Sequence, residues 1–312
     1  MSDTRVTHAV NVEGLSKKFG RRQAVDDVSL QVHEGEIYGL LGHNGAGKST
    51  IIGSLLGQIY PDKGTVRIFG SDIQSERNRA LGQVGAIFET PCFYDYLSGW
   101  DNLMLFVSLS GRVEKKEVLE VLDQVRLNER VHDRVGTYSH GMRQRLALAQ
   151  ALLPRPRLMI LDEPADGLDP EGILENREHI SRLNREMGMT IILCSHQLHE
   201  VEQLCHRVAV LKEGRLVFEG DWRLQAEGEN VLDLDSPARH ELLSRLLAMG
   251  FVHGSEAFPQ LSEGVEFKQI LAEIARFPEP VRRVEMRHRT LEELYAQWSV
   301  QANRDRLTKV EL

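Results

Sequence analysis

Short apolar runs alternate with helical patterns over about the first 220 residues. Val28–Val32 and Glu36–Leu41 read as strands. Ser49–Ile59 puts Ile51, Ile52, Leu55, Leu56 and Ile59 at the spacing of one helix face. Val84–Phe88, Leu158–Leu161, Thr190–Cys194 and Val208–Leu211 are further β-rich runs. The last three are mostly apolar, as expected of strands covered on both faces by helices. From Ser98 to Val135 the pattern is helical without strand signals, which predicts an inserted helical subdomain over about 98–155. Beyond about Gly220 the strong pattern changes. Asn230–Asp235 and Val281–Arg289 read as strands among helical segments, a small α+β appendage. Thr290 and Glu293 fit a capping box for a last helix, whose stripe Leu291, Leu294, Tyr295 and Trp298 reads as core or dimer contact. The expected organisation is an α/β domain over 1–220 and an accessory domain over 221–312.

Composition narrows the class. At 41% hydrophobic and 27% charged residues the chain is an ordinary globular protein. A net charge of −8 argues against a broad nucleic-acid footprint, so no nucleic-acid partner is expected. Cys92, Cys194 and Cys205 show no disulfide spacing, which fits a reducing cytosol. The first residues do not read as a signal peptide, and no stretch approaches the length of a membrane span, so any membrane role is expected to run through a partner.

The chemistry begins at Gly42-His43-Asn44-Gly45-Ala46-Gly47-Lys48-Ser49-Thr50, between a predicted strand and a predicted helix. Gly-x4-Gly-Lys-Ser is a phosphate-binding loop. Gly42, Gly45 and Gly47 let successive N–H groups turn toward phosphate oxygens, and the helix behind adds its positive end. Lys48 is suited to the β- and γ-phosphates, and the Ser49 hydroxyl to Mg2+. The run Leu158–Leu161 ends in Asp162 and Glu163. Beside a phosphate loop, Asp162 can hold Mg2+ through water, and Glu163 can orient or deprotonate an attacking water. Cys194, His196, His199, Cys205 and His206 cluster in sequence but lack the paired spacing of a transition-metal site.

Three further segments narrow the type of phosphate-loop protein. Tyr138-Ser139-His140-Gly141-Met142-Arg143-Gln144-Arg145 resembles the signature motif of ABC ATPases, usually Leu-Ser-Gly-Gly-Gln. Ala165-Asp166-Gly167-Leu168-Asp169 resembles their D-loop, and Cys194-Ser195-His196 their switch-histidine loop. The resemblance runs from about Val12 to Gly220. It implies a P-loop NTPase core of ABC ATPase type, binding ATP with Mg2+. Ser139 and Gly141 have the chemistry of an anion site at a helix start, and in the family they face the γ-phosphate held by the other subunit. By position, His196 would contact the γ-phosphate and the water, Asp169 would lie at the dimer seam, and Phe19 would stack on adenine. One phosphate loop and one signature per chain imply a second copy, or a homologous ATPase subunit, in a head-to-tail dimer.

The resemblance also implies separate integral membrane permease subunits, so the chain is expected to be peripheral on the cytoplasmic side of the membrane. Pro91, Phe93, Tyr94 and Leu97 would help form the groove that receives such a subunit. The signature departs from the usual form at Tyr138, His140 and Met142. This form resembles the exporter branch that includes peptide-antibiotic resistance and immunity transporters, and points to export. The alternative is a soluble ABC ATPase acting on the ribosome or DNA. A second departure is Glu89, where the family usually has glutamine. A carboxylate is a competent Mg2+ ligand, but its charge beside a γ-phosphate alters the switch. Glu89→Gln is therefore expected to keep ATP binding and change turnover. Unchanged turnover in the intact complex would remove any special role for Glu89.

Overall fold

A computed structural model describes residues 8–88, 90–110, 113–227, 230–255 and 258–310. Two compact units divide it, one made of the described residues up to Gly220 with those from Gln301 on, the other Asp221–Val300.

The first unit opens with a long antiparallel pair, β1 (His8–Phe19) and β2 (Arg22–His33), turning at Gly20. β3 (Ile37–Leu41) leads through the glycine-rich loop into α1 (Lys48–Leu55). β4 (Lys63–Ile68), β5 (Ser71–Asp72) and the short α2 (Arg77–Leu81) follow, then β6 (Val84–Ile87). Among the described residues, β2-β1-β4-β5 form one sheet, whose pairings are antiparallel between β2 and β1, β1 and β4, and β4 and β5. β1 and β4 had no clear signal in the sequence, because β-bulges around Gly14 break the alternation of β1.

α3 (Gly99–Ser110), α4 (Lys115–Gln124) and α5 (His140–Leu152) occupy the stretch expected to be helical, with two short 3-10 turns and one isolated bridge between Ser98 and Arg134. β7 (Leu158–Asp162), α6 (Pro170–Met187), β8 (Thr190–Ser195), α7 (Leu198–Leu204), β9 (Arg207–Lys212) and β10 (Arg215–Asp221) complete the unit. Among the described residues the central sheet runs β10-β9-β3-β8-β7-β6, and every pair from β9 to β6 is parallel. β8 is buried at every position and β7 and β9 at all but their ends, as their apolar sequences require.

α1 holds the two sheets together. Ile51, Ile52 and Leu55 are fully buried in one cluster with Val12, Val28 and Leu30 of the antiparallel sheet and Leu40, Ile160 and Ile192 of the parallel one. Each such side chain stabilises the fold by roughly 1.5–3 kcal/mol relative to an exposed one. The helix is shorter than Ser49–Ile59. It stops at Leu55 because Gly57 takes a left-handed conformation (φ +61°), and Gln58 and Ile59 donate back to the Gly53 carbonyl.

The second unit contains α8 (Trp222–Glu227), β11 (Asn230–Asp235), α9 (Arg239–Ala248), β12 (Val252–Ser255), β13 (Phe258–Leu261), α10 (Phe267–Ile274), β14 (Arg283–His288) and the start of α11 (Leu291–Val310). Its described strands lie in the order β12-β13-β11-β14, all antiparallel. A β-α-β-β-α-β chain in that order is the split βαβ arrangement of ferredoxin-like folds. Leu232 and Leu234 of β11 pack on Leu242, Leu243 and Leu246 of α9 and Ile270 of α10. The expected capping box at α11 is formed: Glu293 N donates to Thr290 Oγ1 at 3.3 Å, and Thr290 N to Glu293 Oε2 at 3.0 Å.

Where α5 and α6 pack, His179 is buried beside Gln144, Arg145 and Glu175. Burial holds its imidazole below the usual histidine value of 6.5, and Arg182, Arg145 and Arg126 add to the effect against Glu175. The native state therefore binds this proton less readily than the unfolded chain. Its contribution is intact above pH 6.5 and is lost as pH falls from 6.5 through the lowered native value. His179→Leu is expected to reduce the acid-side loss of stability between pH 6.5 and 5, seen as a smaller drop in Tm across those pH values. An unchanged Tm profile would assign that loss to other groups.

Candidate active site

Three neighbouring parallel strands deliver the candidate groups to one sheet edge. β3 ends at Leu41, paired with Ser195 of β8, and Asp162 of β7 pairs with Cys194. The loops that follow β3, β7 and β8 therefore emerge side by side, as ligand sites do at the carboxyl ends of strands in open α/β sheets. They line a cavity of about 640 Å3 with Phe19, Asn44, Gly45, Gly47, Lys48, Ser49, Thr50, Asp162, Glu163 and His196 on its walls.

The phosphate loop is tightly built. Gly47 is the N-cap of α1 at φ +114°, and a Cβ there would lie 2.8 Å from the Ala24 carbonyl oxygen. Only glycine fits both constraints. Ala46 is fully buried; its N–H donates to the His43 carbonyl at 3.0 Å and its carbonyl accepts from Gly214 N at 2.9 Å, which pins the loop to the β9–β10 turn. Arg22 donates to the Gly45 carbonyl at 3.1 Å. Lys48 is buried, donating to the Gly42 carbonyl at 2.5 Å with its Nζ 3.7 Å from Glu163 Oε1. Ser49 and Asn44 are exposed, and Thr50 is half-buried.

Glu163 is the focus of the site. It is buried and sits in the left-handed region at φ +51°. For a residue with a side chain this conformation costs about 1–3 kcal/mol, the kind of strain that collects at functional positions. Its N–H still continues the sheet to the Cys194 carbonyl at 2.9 Å. Its Oε2 accepts from Ser195 Oγ at 3.2 Å and His196 N at 3.2 Å, and lies 2.8 Å from His196 Nδ1. The carboxylate only accepts, so His196 carries a hydrogen on Nδ1 in this contact, leaving Nε2 as its other ring position. His196 is 46% exposed at the cavity wall, and Asp162 sits half-buried one residue before Glu163.

Phe19 is half-exposed at the cavity, with Lys17 Nζ 5.7 Å from its ring centre. Ser139 and Gly141 are elsewhere: neither is among the described residues that line the cavity. Ser139 caps α5, accepting from Met142 N at 3.3 Å, and a Cβ on Gly141 would meet nothing within 4 Å. Asp169 caps α6 through Gly172 N at 2.8 Å, with Pro170 in the first turn. Glu89 lies outside the described residues.

Arg22, Asp166 and Ser195 have no role in the sequence reading, yet the structure ties all three into the site. Arg22 precedes a predicted strand without any local motif. Ser195 had a signal, a hydroxyl next to His196, but its acceptor lies 32 residues away in the chain. After Thr90, the loop holding Pro91, Phe93, Tyr94 and Leu97 is clamped by buried Asn102, which bonds Tyr94 N at 2.9 Å, Tyr94 O at 3.1 Å and Ser98 O at 2.9 Å. The Tyr94 and Tyr96 rings, 5.8 Å apart, remain 49% and 70% exposed. Among the described residues, no helix is long and apolar enough to cross a membrane.

The chain is similar to known proteins. Residues 25–166 match the family model described as ABC transporter. The chain is 46% identical over 208 residues to the uncharacterized ABC transporter ATP-binding protein YhcH of Bacillus subtilis, covering 67% of this chain and 68% of that one. It is 42% identical over 212 residues to the bacitracin transport ATP-binding protein BcrA of Enterococcus faecalis, covering 68% and 69%. Among solved structures, cbiO1 of Clostridium perfringens, part of the ABC transporter complex cbiONQ, superposes with a TM-score of 0.65 at 25% identity, covering 78% of this chain and 97% of that one. With identity of this level running through two thirds of both chains, the protein belongs to the ABC transporter family, as one of its ATP-binding subunits and an ATP hydrolase.

Proposed function

We propose that the chain is the ATP-hydrolysing motor of an export complex, working as a head-to-tail dimer on the cytoplasmic side of a membrane and driving separate permease subunits. Residues 1–220 would form the nucleotide-binding domain, with its helical subdomain over about 98–155, and 221–312 an accessory domain, except that its described residues from Gln301 on group with the first unit. The observation that carries the dimer is the division of the site. The phosphate loop, Glu163 and His196 share one cavity, while Ser139 and Gly141 are absent from its described lining and leave an open helix start. A second copy facing the first would bring that helix start to the γ-phosphate.

Within one half-site, the loop amides of Gly45, Ala46, Gly47 and Lys48, preceded by Gly42 and Asn44, would cradle the phosphates. The Lys48 ammonium would exchange its loop carbonyl for the β- and γ-phosphate oxygens. Thr50 stands beside them on the cavity wall. Phe19 would stack on adenine. Ser49 and Asp162 supply a hydroxyl and a carboxylate to the same cavity, hard oxygen donors of the kind Mg2+ takes, with Glu89 as the expected third. Bound there, the ion would neutralise charge on the β- and γ-oxygens. Glu163 would orient the attacking water and accept its proton, held in place by Ser195 and both nitrogens of His196 that reach it. His196 would offer its Nε2 side to the γ-phosphate, and Asp169 would lie at the seam. Closure on ATP and opening after Pi release would be passed to the permease through the loop bearing Phe93, Tyr94 and Tyr96. The name of the bacitracin transport relative supports an exported antibiotic-like cargo.

Phe19→Ala is expected to raise KM for ATP about two- to tenfold with little change in kcat, the range of one aromatic stacking contact. An unchanged KM would return Phe19 to simple packing. A tagged Glu163→Gln chain, expressed in its native host, should stay closed on Mg-ATP and carry a multi-span membrane protein with it from detergent-solubilised membranes. Recovery with ribosomes, nucleic acid or nothing would replace the transporter reading with that of a soluble ABC ATPase.

A further inference from the structure

His140 opens α5 directly after Ser139, at a position where the family signature has glycine. Its Nε2 lies 3.0 Å from the carbonyl oxygen of Asp166, and the ring packs 3.5 Å from where a Cβ on Gly167 would sit. A carbonyl oxygen only accepts, so Nε2 is the protonated nitrogen of this imidazole. Asp166 belongs to the turn that carries Glu163: its own N–H donates to the Glu163 carbonyl at 3.1 Å, and it lines the nucleotide cavity. The rest of that turn is closed by Leu168 N to the Ala165 carbonyl at 3.3 Å and by the Asp169 cap of α6. One histidine side chain thus joins the helix start that bears Ser139 to the turn that bears Glu163, across 26 residues of sequence.

We propose that His140 is a positioning residue for hydrolysis: it latches the 163–169 turn to the head of α5 within one chain, so that Glu163 and Ser139 are placed together. The latch rests on the roles given to Glu163 and Ser139 in the proposed function. Its consequence follows from the division of the site. The carboxylate serves the chain's own nucleotide and the serine serves the neighbour's, so a bond between their supports couples the two half-sites of the dimer. A glycine at 140 has no side chain with which to make this bond.

The test uses the full-length chain and the variants His140→Leu, His140→Gly and His140→Gln. Leucine keeps bulk without a donor; glutamine keeps an N–H donor of similar reach. Amide hydrogen exchange of the nucleotide-free chain reads the latch directly, and steady-state Mg-ATP hydrolysis reads its effect. His140→Leu and His140→Gly should speed exchange at Glu163, Asp166 and Leu168 roughly three- to tenfold, the range of one neutral hydrogen bond. They should lower kcat by a similar factor at unchanged KM, and His140→Gln should restore both. Wild-type exchange in His140→Leu, unchanged kcat despite faster exchange, or a His140→Gln variant as impaired as His140→Leu would each overturn the proposal. If the wild-type chain itself hydrolyses no ATP, the proposed function fails, and the exchange result alone then decides whether the latch exists.

Discussion

Parallel pairing of β3, β8 and β7 in fixed register is the constraint from which the site follows. Leu41 stands opposite Ser195, and Asp162 opposite Cys194, so three loops distant in sequence leave the sheet at one level. Parallel strands need long crossovers, and here these are helices that bury both sheet faces. The apolar character of β7, β8 and β9 is the cost of that arrangement and also its signature. A slip of one residue in β7 would exchange Asp162 with Glu163 and destroy the site, because successive side chains face opposite ways.

Glu163 shows how the loops turn register into geometry. The strand alone would point it away from its partners. A left-handed backbone at φ +51° redirects it, and three contacts from Ser195 and His196 hold it there, while Lys48 approaches from the phosphate loop. Strain of this kind persists only where surrounding bonds over-determine it. Here they do so from β8 and from the turn closed by Asp166. The carboxylate is therefore held in one orientation, the preorganisation that the role proposed for Glu163 requires.

The second unit obeys a different logic. Its sheet is antiparallel and small, and its core lies between that sheet and α9 and α10. Its described charges are largely paired with one another: Arg287 binds Glu293 at 2.5 Å and 2.8 Å, and Arg283 binds Asp233 at 2.8 Å. The Glu293 carboxyl is held below its usual value although burial works against this, because Arg287 and the Thr290 N–H bind its charged form. That contribution is present above the unfolded carboxylate range and is lost as pH falls through the lowered native value.

By itself the sequence determined the class of fold, the family and the place of the phosphate loop between β3 and α1. These depend on local spacing: glycines that permit a turn, a lysine and serine at a helix start, apolar runs long enough for buried strands. It also fixed the capping box at Thr290, a local exchange of two hydrogen bonds. It did not show β1, whose alternation is broken by bulges, nor the short β4, nor the end of α1 at Gly57, where a left-handed residue overrides an apolar stripe that runs on to Ile59. It named Glu163 and His196 separately, but not their bond, nor Ser195 beneath them, nor Arg22 on the loop, nor the reach of His140 to Asp166. Those belong to tertiary structure alone, because each joins atoms that meet only when neighbouring strands and helices are packed in register, and no spacing along a chain records that distance.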